Sequence, residues 1–153
     1  MTVKTSAGTL LHVFATAPAT FDSLGYAALA WVAVGEITDL GEFGRHYNLV
    51  SHTSLALRST QKFKGSFNEG TIALKLGLDT KDAGQIMMKT AVLSDLPYSF
   101  RITTQNGDKY YVQAQVMAFG VVVGSLDQIT SAAVTLELTS SNTGVGIVEV
   151  IAP

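Results

Sequence analysis

Between Pro18 and Gly44 the chain reads PATFDSLGYAALAWVAVGEITDLGEFG, so a turn, a small-residue helix and an acidic, glycine-punctuated strand follow one another without a break. Few folds ask for that succession. A first strand is predicted over Thr9 to Ala15, ending at the small residues around Pro18. Thr20 is placed to cap a short helix from Phe21 to about Ala30, with Asp22 in its positive first turn and Leu24, Ala28 and Trp31 toward one side. Gly25 weakens that helix. Trp31 to Leu40 then alternates apolar and small residues as a strand until Gly41 and Gly44 break the pattern, and Tyr47 to Leu57 resumes it. Between these two strands lies a hairpin end or a long loop.

Further along, Asp79 is positioned to cap a central helix over Lys81 to Leu93, with Asp82 in the first turn. Ile86, Thr90 and Leu93 together with Met87 and Ala91 form its apolar stripe. Met87 and Met88 point to different faces, which leaves at least one of them for a neighbouring subunit. Pro97 stops the helix, and the hairpin FRITTQNGDKYYVQAQV follows from Phe100 to Val116. Its two apolar faces agree only if Gln105, Asn106 and Gly107 form the loop, because that register sets Ile102 opposite Tyr110 and Phe100 opposite Val112. Gly107 then takes the left-handed conformation of a bulged hairpin. Ser131 to Thr139 is another strand, with Val134, Leu136 and Leu138 on one face. A polar, glycine-rich stretch leads into a last short strand from Val145 to Ile151, within a C-terminal strand or arm spanning 140–153. The fold class is mainly β, a β-sandwich or β-barrel with one central helix and a short N-terminal one.

A chain of 153 residues is one domain's worth of sequence and buries roughly 68–70% of its unfolded surface. With 47% hydrophobic and only 14% charged residues, the remaining surface is poor in the groups that keep a monomer apart from its copies. Some apolar surface is therefore expected to face other copies. No apolar run approaches membrane-spanning length, and the N-terminus lacks the pattern of a secretory signal. Cysteine is absent, which removes disulfides and thiolate metal sites. The ten Lys and Arg against twelve Asp and Glu form no basic block that would neutralise phosphates, so tight nucleic-acid binding is not expected.

Catalytic chemistry finds little material. His12, His46 and His52 are the only histidines, and none stands in a metal-protease, paired-cysteine or phosphate-cradling context. The six-residue spacing of His46 and His52 matches no known ligand pattern, and Asp79 and Asp82 read as helix-start charges rather than an acid–base pair. The sequence predicts no enzyme, no cofactor and no metal. A monomeric carbohydrate-binding sandwich would need a flat aromatic platform, but Tyr110 and Tyr111 are adjacent and face opposite sides of their strand.

The order and spacing of PATFDSLGYAALAWVAVGEITDLGEFG, DAGQIMMKTAV, FRITTQNGDKYYVQAQV and GSLDQITSAAVTLELT resemble the tail tube proteins of bacteriophages with long, non-contractile tails. The resemblance spans nearly the whole chain. It implies a structural virion protein, a homohexameric ring that stacks into a conduit for DNA ejection, assembled in the host cytoplasm with the tape-measure and other tail proteins as partners. It further implies strands shared between subunits around the channel and a long loop, here about 40–66, that contacts the next ring. Two clusters in that region have complementary charge. Glu36, Asp39 and Glu42 stand on the way out and Arg58, Lys62 and Lys64 on the way back, and with Phe43 and Arg45 they are the expected inter-ring contacts. DNA passes such a channel without sequence-specific binding, so Lys62 and Lys64 are expected to point away from it. A ring-forming baseplate or secretion-tube protein shares the same pattern.

Overall fold

A computed structural model describes residues 3–153. Ten strands and two helices follow in the order β1 (Leu10–Phe14), α1 (Ser23–Ala27), β2 (Val32–Val34), β3 (Ile37–Asp39), β4 (His46–His52), β5 (Gln61–Asn68), β6 (Thr71–Gly77), α2 (Ala83–Ala91), β7 (Tyr98–Thr103), β8 (Lys109–Val122), β9 (Ser131–Thr139) and β10 (Val148–Val150). Seven of the strands form one antiparallel path, β2-β1-β7-β8-β9-β6-β3, with β10 added to β8, while β4 and β5 pair only with each other.

Alternation makes this sheet one-sided. Ile72, Leu74 and Leu76 of β6 lie opposite Leu136, Val134 and Ala132 of β9, and Leu11 and Val13 of β1 lie opposite Ile102 and Phe100 of β7. All are buried in one continuous core with Val112, Ala114, Met88 and Ala91. The β7–β8 hairpin has the expected register, Ile102 opposite Tyr110 and Phe100 opposite Val112. Its three-residue loop is closed by Thr104 N–H donating to the Asp108 carbonyl at 2.9 Å, with Gly107 at φ 91°.

The two edge strands of the path, β2 and β3, are separated in sequence by Gly35 and Glu36 alone. A sheet whose opposite edges are two residues apart must curl on itself, so the predicted continuous strand from Trp31 to Leu40 is instead two strands on opposite edges. Glu36 makes the corner at φ 63°, a left-handed conformation that strains any residue with a Cβ. Gln85, only 2% exposed, fastens it. Its Nε2 donates to the carbonyls of Gly35 and Gly77, both at 3.0 Å, and its Oε1 accepts from Asp79 N–H at 2.9 Å.

Helix α2 differs from expectation in cap and in face. Asp82, not Asp79, is the N-cap, and its Oδ2 accepts from Gln85 N–H at 3.0 Å and from Gly35 N–H at 3.1 Å. The buried face is Gly84, Gln85, Met88 and Ala91, whereas Ile86 and Leu93 of the predicted stripe are exposed. Gly84 decides this. The helix lies so close to β2 that a Cβ there would collide with the Ala33 carbonyl and the Val34 backbone. Met87 is half-buried against the same core as Met88.

Helix α1 is likewise capped later than predicted, two residues on, by Asp22, whose Oδ1 accepts from Gly25 N–H at 2.8 Å and from the Thr20 hydroxyl at 2.9 Å. Gly25 is no weakness here, since a Cβ would strike the Thr20 carbonyl. The helix lays Tyr26 on the outer face of the sheet, stacked on Tyr111 with ring centroids 5.2 Å apart, and Trp31 stacks beside them. His12 and Arg101 face each other across β1 and β7 near this cluster. Partial burial lowers the His12 pKa, and the charges of Arg101 and Lys109 lower it further. Below its ordinary value of about 6.5 the unfolded chain therefore binds a proton that the folded chain refuses, so stability is full above that pH and falls on acidification. Thermal melts are expected to show the Tm dropping as the pH falls below about 6.5, with a flatter profile in His12→Gln.

Candidate assembly interface

Strands β4 and β5 leave the body as a two-stranded arm. Every residue of both strands is exposed except the half-buried Gly65. Pairing explains why a ribbon forms at all: Tyr47 lies opposite Phe67, Leu49 opposite Lys64 and Val50 opposite Phe63, and such cross-strand aromatic and apolar pairs stabilise a ladder. Gly65 leaves room where a Cβ would come within 2.8 Å of Val50 Cγ2. Residues directly opposite share a face, so Tyr47, Leu49, Lys62, Lys64 and Phe67 form one side and Val50 and Phe63 the other. Lys64 Nζ sits 4.8 Å from the centre of the Tyr47 ring. An isolated ribbon with Leu49, Val50, Leu55, Leu57 and Phe63 in water has the composition of an interface.

The arm is anchored where it meets the body. Arg45 Nη2 lies 2.9 Å from Oε1 of Glu69, whose side chain is almost wholly buried, and the guanidinium also stacks 4.0 Å over the Phe67 ring. Gly146 makes space for the Glu69 carboxylate, which a Cβ at that position would overlap. Burying a carboxylate is tolerable only with such a partner.

A second unpartnered surface lies on β8. Strand β7 pairs with β8 only over Lys109–Ala114, while β9 occupies the opposite edge as far as Val122. The β7-side edge of Gln115–Val122 thus has no strand partner among the described residues. Met117, Val121, Val122 and Val123, with Leu126 and Ile129 of the following turn, are exposed beside it. An open apolar edge of this length is a template for another strand.

No family model and no curated protein matches the sequence. Solved structures do match over nearly the full chain. A chain of the six-fold symmetrised anti-feeding prophage (AFP) baseplate superposes with a TM-score of 0.73 at 9% identity, covering 98% of this chain and 97% of that one. A chain from the tail of an empty GTA particle, refined with C6 symmetry, gives 0.68 at 8% identity, with 99% and 100% covered. The SPP1 tail tube gives 0.61 at 10% identity, with 94% and 77% covered.

The chain has the tail-tube fold.

On the tail-tube fold the eight expected contact residues divide into three sets. Arg58, Lys62 and Lys64 ride on the arm. Glu36, Asp39 and Glu42 are exposed on the body, at the corner, in β3 and in the loop after it. Asp39 Oδ1 accepts from Gly41 N–H at 2.8 Å. Phe43 and Arg45 are engaged within the subunit, Phe43 edge-on to Tyr110 at 5.3 Å and Arg45 on Glu69. Among the described residues Arg45–Glu69 is the one salt bridge, so the acidic and basic clusters do not pair within the chain. From Arg45 to Asn68 there are four Lys and Arg and no Asp or Glu, which leaves six basic against twelve acidic residues elsewhere. The chain therefore carries a basic arm on an acidic body. The sequence reading missed the free β8 edge, because unpaired strand length is a property of the whole sheet.

Proposed function

We propose that this chain is the repeating subunit of a phage tail tube, of the long non-contractile kind its sequence resembles. Six copies close into a ring by lending strand edges such as Gln115–Val122 to one another, and rings stack through the basic arm into a virion conduit for DNA. The tape-measure protein and other tail proteins are its partners. The observation that carries this reading is the arm, an exposed, acid-free β-ribbon on a net-acidic body that has the tail-tube fold. Ring closure removes exposed sheet edges that otherwise pair without limit. Opposite charges on arm and body set rotational register and speed encounter more than they add affinity.

Electron microscopy of the purified protein over a concentration series, with light scattering on the same samples, tests the proposal. Long tubes with an open channel are expected. Single six-fold rings that never stack would favour a baseplate ring, the second reading, to which the AFP likeness points. Monomers at every concentration, alone and with a tail initiator added, would sink both. Replacing Arg58, Lys62 and Lys64 by Glu is expected to raise the threshold for tube growth and to reverse its salt dependence, so that added salt helps rather than hinders. Unchanged growth at low and high salt would remove the charge argument.

A further inference from the structure

We propose that the tip of the arm seats in a groove between α2 and the end of β8 on a second copy of this chain, an inference that rests on the stacked-ring reading. The groove holds about 370 Å³ and has Leu78, Ile86, Leu93 and Phe119 as its apolar walls, with Asp79 and Lys89 among its polar lining. It exists because α2 turns Gly84 and Met88 into the core and leaves Ile86 and Leu93 outside, 48% and 89% exposed. Among the described residues nothing buries either side chain.

The tip has the complementary form. Leu57 N–H donates to the Ser54 carbonyl at 3.3 Å, closing a turn that projects Leu55 and Leu57 into solvent. The Thr53 and Thr60 hydroxyls, 3.0 Å apart, tie its base. Two leucines on a closed turn form an apolar knob, and Arg58 follows directly. Asp79 is exposed, its carboxylate accepting from Lys81 N–H at 3.0 Å and free on its other side to meet that guanidinium. Lys89 opposes Arg58, but the charge of the whole arm against the whole body still favours approach.

Topology makes the occupant a second copy. The arm joins β6 at its Thr71 end, where Leu138 N–H donates to the Gly70 carbonyl, and the groove begins past the other end, where Leu78 N–H donates to the Thr130 carbonyl. Along β6 those ends are about 20 Å apart, and no residue of the arm lines the groove of its own subunit. A knob and a groove on different surfaces of one molecule, with the arm rooted at the far end of β6 from the groove, give a head-to-tail contact that repeats without closing, the symmetry of a stack.

The absence of native cysteine makes the test direct. A chain carrying Leu55→Cys and Leu93→Cys is assembled and mildly oxidised, then run on a non-reducing gel. A ladder of covalent multimers is expected, since a disulfide needs Cα atoms within about 7 Å. The pair Leu55→Cys and Leu24→Cys, with the second site on α1, is expected to give none. Independently, Ile86→Glu and Leu93→Glu, both at exposed positions, are expected to raise the threshold for tube growth roughly tenfold or more with an unchanged monomer Tm. Tubes that form without a 55–93 ladder would overturn the groove while leaving the tube reading intact. Failure to form any ring or tube, with native-like Tm and no initiator dependence, would overturn both.

Discussion

Gln85→Leu is expected to lower the Tm by roughly 6–12 °C, more than any single change on the surface of the subunit. The side chain is fully enclosed at the corner where β2, β6 and the start of α2 meet. Leucine matches its volume but answers none of its hydrogen bonds, so the carbonyls of Gly35 and Gly77 and the N–H of Asp79 lose their partner together. A buried polar group left unpaired costs about 1–3 kcal/mol. Even if one of the three finds water, about 3 kcal/mol is lost, and for a chain of this length each 1 kcal/mol corresponds to about 2–4 °C. Differential scanning calorimetry on Gln85→Leu beside Ile86→Ala separates this from a general effect of altering α2, because Ile86 lies outside the core. Equal, small shifts in the two variants would mean that Gln85 does not hold the corner.

That corner also marks where the sequence stops being legible. The β7–β8 register could be read residue by residue, because both strands alternate cleanly and only a loop of Gln105, Asn106 and Gly107 brings their apolar faces together. The buried side of β9 was readable for the same reason. Strand β6 was equally available in the alternation of Ile72, Leu74 and Leu76, yet the reading assigned no strand there. By contrast, the face of α2 was not decidable locally. Ala91 of the expected stripe is buried, but Ile86, Thr90 and Leu93 make as good a continuation of it as Gly84, Gln85 and Met88, and what chooses between them is the approach of the β2 backbone to Gly84, some fifty residues away in sequence. The break between β2 and β3 depends on a glutamate at positive φ, which propensity disfavours and only closure of the sheet imposes.

For the assembly surfaces the balance is similar. The clustering of Arg58, Lys62 and Lys64 was visible in the sequence, whereas a long loop around them followed only from the family resemblance. The pairing of Arg45 with Glu69 joins residues at the two ends of the arm, and the open edge of β8 requires knowing where β7 stops. Local patterning therefore marks the arm's charge, while its anchoring and its complement on the body are consequences of tertiary structure.

Replacing residues 47–67 by a short Asn-Gly turn is expected to leave a folded subunit that never makes tubes. Every residue removed is exposed or, at Gly65 and Ser54, half-buried within the arm itself, and none belongs to the core cluster. The core, the corner at Gln85 and the Arg45–Glu69 pair all remain, although Arg45 loses the Phe67 ring beneath it. A surface cation–π contact of this kind contributes about 0.5–1 kcal/mol, which predicts a Tm within about 4 °C of the full chain. Assembly responds very differently. The deletion removes the Arg58, Lys62 and Lys64 cluster and the exposed apolar side chains from Tyr47 to Phe67, and with them the basic half of the charge complementarity. The free edge of β8 is untouched, so lateral association survives where axial growth does not. Sedimentation velocity and electron microscopy on the shortened chain should then find single rings at concentrations where the full chain forms long tubes. Tubes of normal length from the shortened chain would show that stacking resides in the body, and a monomer that cannot form rings would place the arm in lateral contact instead.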